Sequence, residues 1–341
     1  MSKQIYINIL VVTIGLLLCI YCTANSSMKH NGYETVEHLE LEVEVIDDQI
    51  KENMQKEDVG RTTDSTRIDE IGEDECNQKE YNQKEYNHHE GNGPSEQTIG
   101  EMDIGGRIAY LENKYKDLTP SFWGEDVDGV ITHIETQDKI VALTFDACGS
   151  KSDGYDKRIV DFLIDQEIYA TLFINSNWIN KYPDEFMALD STPLFEIANH
   201  GDRHRPLSVN GKSAYGISGT QNIKEVVEEI LVNDEKIFKL TGQRPKYFRS
   251  GTAFYDEIAV EIAHELGYEV VNFNILGDAG ATFNKQQIIN ACTNATPGSI
   301  IIFHMNRPET NIAEGIIEGI QRLKDEGYSF VKLSDYHNLL R

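Results

Sequence analysis

From about residue 128 onward the hydrophobic positions follow two alternating rhythms. Short, nearly continuous apolar runs read as strands buried on both faces: Lys139–Phe145, Tyr169–Asn175, Phe195–Asn199, Lys246–Phe248, Glu269–Phe273, Ser299–Phe303 and Ser329–Leu333. Between them, apolar residues recur at helical spacing. Ile223, Val226, Val227, Ile230, Leu231, Ile237 and Phe238 predict one helix, closed by Gly242. A second opens at Asp256, turns Ile258, Ile262 and Leu266 inward and ends at Gly267. A third carries Ile312, Ile316, Ile320 and Leu323 before Gly327. Seven strands separated by helices imply a parallel α/β sheet, either open or closed into a barrel.

The upstream part of the chain has neither rhythm. Ile5–Tyr21 is almost wholly apolar after Lys3, and Cys22-Thr23-Ala24 offers small residues for cleavage after Ala24, so residues 1–24 read as a signal peptide or a membrane anchor. Bulky residues before Cys19 and Cys22 argue against lipidation. Residues 25–105 read as an acidic, disordered, low-complexity linker. Over 28–105 there are 22 acidic against 7 basic residues, and Asn77–Tyr81 is repeated as Asn82–Tyr86. His88-His89 within that tract reads as ordinary surface. The folded domain is expected over residues 106–341, outside the cytoplasm, either secreted or tethered.

The 341-residue chain has a formal net charge of -26, which excludes nucleic acid and anionic membrane surfaces as partners. A neutral or amino-sugar polymer suits such a surface better. Beyond the leader only Cys76, Cys148 and Cys292 remain, an odd number that cannot complete a disulfide framework. Cys148 and Cys292 could pair, or stand as small buried apolar residues.

In parallel α/β folds the reacting groups collect at the C-terminal ends of strands. That rule selects Asp146, then His200 and His204, then Arg249, Asp278 and His304. Each has an ordinary structural reading: Asp146 as a helix cap, the histidine pair as one helical face, Arg249 as an ion-pair partner, His304 as a buried hydrogen-bonded residue. It is their succession at equivalent strand ends that points to a site.

In this order the residues resemble the polysaccharide deacetylases, the NodB-homology or carbohydrate esterase family 4 domain, over about residues 128–341. Thr144-Phe145-Asp146 is similar to the first motif, His200-x-x-x-His204 to the second, and Arg249, Asp278 and His304 to the third, fourth and fifth. The resemblance implies a distorted seven-stranded (β/α) barrel and a hydrolase acting on non-peptide carbon–nitrogen bonds. It implies a divalent metal, typically zinc, held by His200 and His204. It also makes Asp146 the base, oriented by Arg249, and His304 the acid, supported by Asp278.

One position departs from the family. The second aspartate of the first motif, a metal ligand, is here Ala147, leaving either Cys148, Asp202 or Asp146 as the third donor, or a site that binds metal weakly or not at all. If Ala147 faced the site, Ala147→Asp would tighten metal binding. Ser250-Gly251-Thr252 also replaces the usual prolines, and Asp278-Ala279 lacks the family's tryptophan. These features support N-deacetylation of a peptidoglycan- or chitin-like polymer. The alternatives are hydrolysis of another amide on the same scaffold, or an inactive glycan-binding module. The oligomeric state stays open.

Overall fold

The computed structural model describes residues 96–341. The expected leader, most of the acidic segment, Cys76 and His88-His89 lie outside the described residues. Among the described residues, no helix is long and apolar enough to cross a membrane.

The described chain opens with helices α1 (Glu96–Glu101) and α2 (Ile104–Tyr115), followed by the short strand β1 (Val130–Ile131). Next come β2 (Ile140–Ala147), α3 (Lys157–Asp165), β3 (Ala170–Ile174), α4 (Ser176–Lys181), α5 (Pro183–Asp190) and β4 (Phe195–Asn199). A small hairpin of β5 (Ser213–Ala214) and β6 (Ile217–Ser218) precedes α6 (Ile223–Thr241), β7 (Tyr247–Phe248) and α7 (Glu257–Glu265). The chain ends with β8 (Glu269–Val271), β9 (Ile275–Leu276), α8 (Lys285–Thr293), β10 (Ser299–His304), α9 (Ile312–Asp325) and β11 (Ser329–Val331).

All seven expected strands form, and the main sheet is parallel throughout, in the order β1-β8-β7-β4-β3-β2-β10-β9. β11 pairs with Ile140–Ala142 of β2, and β3 with Thr144–Ala147. The two halves of one continuous stretch, Glu269–Leu276, take part at opposite ends of this path. Its first half pairs with β7 and β1, its second with β10. The sheet therefore curls round on itself and is joined through a strand broken at residues 272–274, the distorted barrel expected.

β2 shows how the core is layered. Val141, Leu143, Phe145 and Ala147 face an apolar layer shared with the helical residues Ile159, Leu163, Ile316 and Ile320. Ile140 and Ala142 face the opposite layer with Phe173, Tyr247 and Ile300. Both faces are buried, which is why the run looks uniformly apolar in sequence. The helices α6, α7 and α9 also form as expected, with Asn222 and Asp256 capping the first two. Phe238 differs from expectation: it is half exposed beneath the Arg244 guanidinium rather than buried in the α6 stripe. Cys148 and Cys292 are both free thiols; Cys292 is buried in the apolar core, whereas Cys148 is not.

The described residues start upstream of the expected boundary at residue 106. α1 and the first turn of α2 fall in the stretch assigned to the linker, because acidic composition and Gly105-Gly106 mask a short apolar pattern. Ile99 is buried, as are Leu111 and Tyr115, which join an apolar cluster with Val226, Val227 and Ile230 of α6. Asp103 caps α2 by accepting from Gly106 N at 2.7 Å. A chain beginning at Glu96 keeps this cap and the Ile99 contacts. One beginning at Gly106 loses the cap and the Ile99 contacts, and should be less stable by about 1–3 kcal/mol in a denaturant titration. Equal stability of the two would contradict this packing.

Candidate active site and metal centre

The last residues of β2 divide between two environments. Asp146 is buried on the barrel side, where its Oδ1 accepts from Arg249 Nη1 at 2.8 Å and its Oδ2 lies 3.5 Å from His200 Nε2. Ala147 points the other way, into the helix-facing apolar layer. Cys148 returns to the side of Asp146, as the period of two requires. Asp146, Cys148, His204 and His304 all line one cleft of about 790 Å³.

His200 follows β4 and is held by its own ring. The backbone carbonyl of Arg249 lies 2.9 Å from His200 Nδ1 and can only accept, so Nδ1 carries the proton. In the neutral ring Nε2 is then left as a lone pair, directed toward Asp146 and toward the Cys148 sulfur at 3.9 Å. His204 sits in the left-handed region at φ 59°, with its ring edge-on to His200 at 4.9 Å. Its Nε2 is buried without a hydrogen-bond partner. Residue 251 must be glycine for this arrangement, because a Cβ there would run into the His204 backbone.

The loop between the two histidines is suspended from buried polar side chains. Glu229 of α6 accepts from Arg203 N at 3.0 Å and from Arg205 N at 3.2 Å. Asn175 donates to the carbonyls of His200 and Gly201, and Asn199 accepts from Gly201 N. Burial raises the Glu229 carboxyl above its usual range despite these donors.

On the opposite side of Asp146, His304 ends β10 and is its register partner across the sheet. The fully buried Asp278 grips His304 twice, accepting from its backbone N at 2.6 Å and lying 2.8 Å from Nδ1 through Oδ1. Burial disfavours a charged His304, but Asp278's charge and hydrogen bond outweigh this and hold its pKa well above the usual imidazole value. For Asp146, burial is likewise outweighed, here by the neighbouring His200 and the Arg249 guanidinium, and its pKa lies below the usual carboxylate value. Burial also opposes ionisation of Cys148, yet the electrostatic influence of His204 and the other histidines around it holds the thiol well below its ordinary value.

All six residues expected at strand ends are thus brought to one cleft or its immediate wall, and a third donor is present. The Cys148 sulfur and the ring nitrogens of His200 and His204 lie within 4.8 Å of one another. Thiolate and imidazole are the donors zinc prefers, and the unpartnered His204 Nε2 is what a ligand nitrogen looks like without its ion. Of the other candidates, Asp146 is committed to Arg249, and Asp202 sits partly exposed beside Arg203. Asn175, Asn199 and Glu229 were not picked out from the sequence. Glu229 and Asn233 on the apolar stripe of α6 carried a usable signal, being polar groups where only core residues belong.

The sequence profile described as Polysaccharide deacetylase matches residues 133–271. The fold is similar to that of Bacillus subtilis PdaA, a family 4 carbohydrate esterase, at 22% identity and a TM-score of 0.52, covering 69% of this chain and 91% of that one. It is also similar to the Bc1960 peptidoglycan N-acetylglucosamine deacetylase at 22% identity and a TM-score of 0.53, covering 61% of this chain and 92% of the other. A family 4 pseudoenzyme from Bacillus anthracis matches at 20% identity and a TM-score of 0.50, covering 65% of this chain and 70% of that one. Residues 133–271 thus match the polysaccharide deacetylase family, on a fold similar to that of family 4 carbohydrate esterases.

The donor set makes two testable statements. Cobalt(II) added to the full chain should give a near-ultraviolet sulfur-to-metal charge-transfer band that disappears in Cys148→Ser. His200→Ala and His204→Ala should weaken metal binding by more than the roughly 10–100-fold that loss of an outer partner costs. The expectation that Ala147→Asp restores a ligand is overturned by its orientation. That substitution should instead cost roughly 3 kcal/mol or more, by placing an unpaired carboxylate in the apolar layer, with no gain in metal affinity by calorimetry.

Proposed function

We propose that this chain is an exported, metal-assisted hydrolase that removes N-acetyl groups from an amino-sugar polysaccharide of the peptidoglycan or chitin type. The observation that carries this reading is the cross-strand pairing of Asp146 with His304 beside the Cys148, His200 and His204 donors. The first is held ionised by Arg249, the second protonated by Asp278. Such a pair of oppositely tuned groups suits hydrolysis, which must remove one proton and deliver another.

Cys148, His200 and His204 would hold the ion, zinc by the chemistry of the set, which when bound supplies Lewis acidity toward the acetamide carbonyl and acidifies water. Asp146 accepts the proton of the attacking water, and Arg249 fixes its carboxylate so that one oxygen stays directed toward the cleft. As the carbon–nitrogen bond breaks, His304 delivers a proton to the departing nitrogen, leaving acetate and a free amine on the sugar. With Nδ1 engaged by Asp278, Nε2 is the nitrogen available for that transfer. The apolar leader read over residues 5–21 supports an extracytoplasmic setting, where such polymers occur.

The competing reading is a glycan-binding module without turnover. Its support is the missing second aspartate and the likeness of the fold to a pseudoenzyme. Release of acetate from chitin oligomers or peptidoglycan by the metal-loaded full chain separates the two. No acetate from either polymer, with metal bound, would leave the binding module or hydrolysis of a different amide.

If the hydrolase reading holds, Asp146→Asn and His304→Ala should each lose about 10²–10⁴-fold in kcat while remaining folded. Asp146 acts above its lowered pKa and His304 below its raised one. The limb set by Asp146 should therefore lie below the ordinary carboxylate range and the limb set by His304 above the ordinary imidazole range, with metal-bound water contributing to the acidic side. Asp278→Asn removes the charge that raises His304, so the alkaline limb should move to lower pH. An alkaline limb that stays in place would show that His304 does not set it.

A further inference from the structure

The β5–β6 hairpin places an aromatic residue where turn chemistry disfavours one. Tyr215 and Gly216 are its two central residues, both with positive φ, 52° and 77°. Two-residue turns of this kind favour Asn-Gly. A left-handed tyrosine costs roughly 1–2 kcal/mol. Nothing in the core offsets it, since Tyr215 is 75% exposed. Strain retained at an exposed tip calls for a role outside the fold.

The ring is fixed in place from two sides. Its hydroxyl donates to Glu125 Oε1 at 2.9 Å, and it meets Phe254 edge-on at 5.4 Å. Phe254 in turn lies 5.7 Å from Trp123. The three segments that bring these rings together are joined by backbone hydrogen bonds, Gly124 with Tyr255 in both directions and Leu207 N to the Phe254 carbonyl. Tyr215, Ile217 and Glu125 line the same cleft as Asp146 and His304.

An exposed apolar surface continuous with a polar cleft marks a binding site. Sugar rings present apolar C–H faces edged by hydroxyls, which match an aromatic ring beside a carboxylate. We propose that Tyr215, backed by Phe254 and Trp123, is a stacking platform for a second sugar of the polymer, next to the one whose acetamide enters the cleft, with Glu125 accepting from its hydroxyls. This rests on the amino-sugar reading of the cleft and adds a preference for oligomers over single sugars.

The test is calorimetric titration of the full chain carrying His304→Ala with N-acetylated amino-sugar oligomers, from the monomer upward. Affinity should rise beyond the first sugar, and Tyr215→Asn should remove that rise, a loss of roughly 2- to 10-fold for an aromatic stack. Asn suits the turn, so the hairpin stays formed and the melting temperature should not fall. Tyr215→Phe should keep most of the rise. Length-dependent affinity that survives Tyr215→Asn would overturn the platform, as would equal losses for monomer and oligomer. If the parent chain released no acetate while the length dependence and its loss held, the deacetylase reading would fall and the platform would stand.

Discussion

A fully buried guanidinium holds both the barrel and its chemistry. Removing Arg249 from water costs several kcal/mol, and every part of the group is compensated. Nη1 donates to Asp146, Nε to the Val271 carbonyl at 3.0 Å and Nη2 to the Asn272 carbonyl at 2.9 Å. Its face lies over the Phe173 ring at 4.1 Å. Val271 and Asn272 are where the joining strand breaks, so their carbonyls lack a ladder partner on that side, and Arg249 supplies it. The Arg249 backbone carbonyl meanwhile sets the His200 tautomer. Barrel closure, an ionised Asp146 and a ligand-ready His200 therefore depend on one residue. A lysine has neither the planar fork nor the reach to replace it.

The remaining polar groups are arranged around that centre by sign. Asp278 draws positive charge onto His304 at one side of the cleft, while the two histidines and Cys148 gather at the other. The loop carrying the histidines hangs from Glu229, Asn175 and Asn199, which have no direct part in the chemistry. Their work is to hold a left-handed His204 where its nitrogen can meet the sulfur. Cys148, just past the end of β2, places a sulfur on the barrel side, because alternation turns residue 147 away.

Much of this was legible in the sequence. Long apolar runs announced the seven strands, and the residues that follow them announced the site, since parallel sheets gather reactive groups at one end. What stayed hidden has local causes. β2 was expected to stop at Phe145 but continues to Ala147, and without that extension the alternation that separates Ala147 from Cys148 cannot be applied. β1 and β9 are two residues long and owe their pairing to the sheet around them, not to their own pattern. Tyr215-Gly216 carries no ordinary hairpin signal because its first residue is a poor fit to the turn. α1 and the first turn of α2 were submerged in an acidic stretch, and the apolar residues of α2 find partners on α6 and α7, far along the chain.

The broken strand also bears on how such a chain reaches its native state. Neighbouring βα units assemble from residues close in sequence, but the sheet also joins Val130 to Val270 and Leu143 to Ile301. The first of these closes a loop of most of the domain, the kind of contact that slows folding through its entropy. The Arg249 acceptors at residues 271 and 272 come with the neighbouring β7–β8 pairing, but its partner Asp146 lies 103 residues away, and until β2 and β7 share one sheet the guanidinium charge belongs in water. Desolvation of that one side chain is thereby tied to assembly of the sheet, making an incompletely assembled barrel a hydrated and chemically silent one.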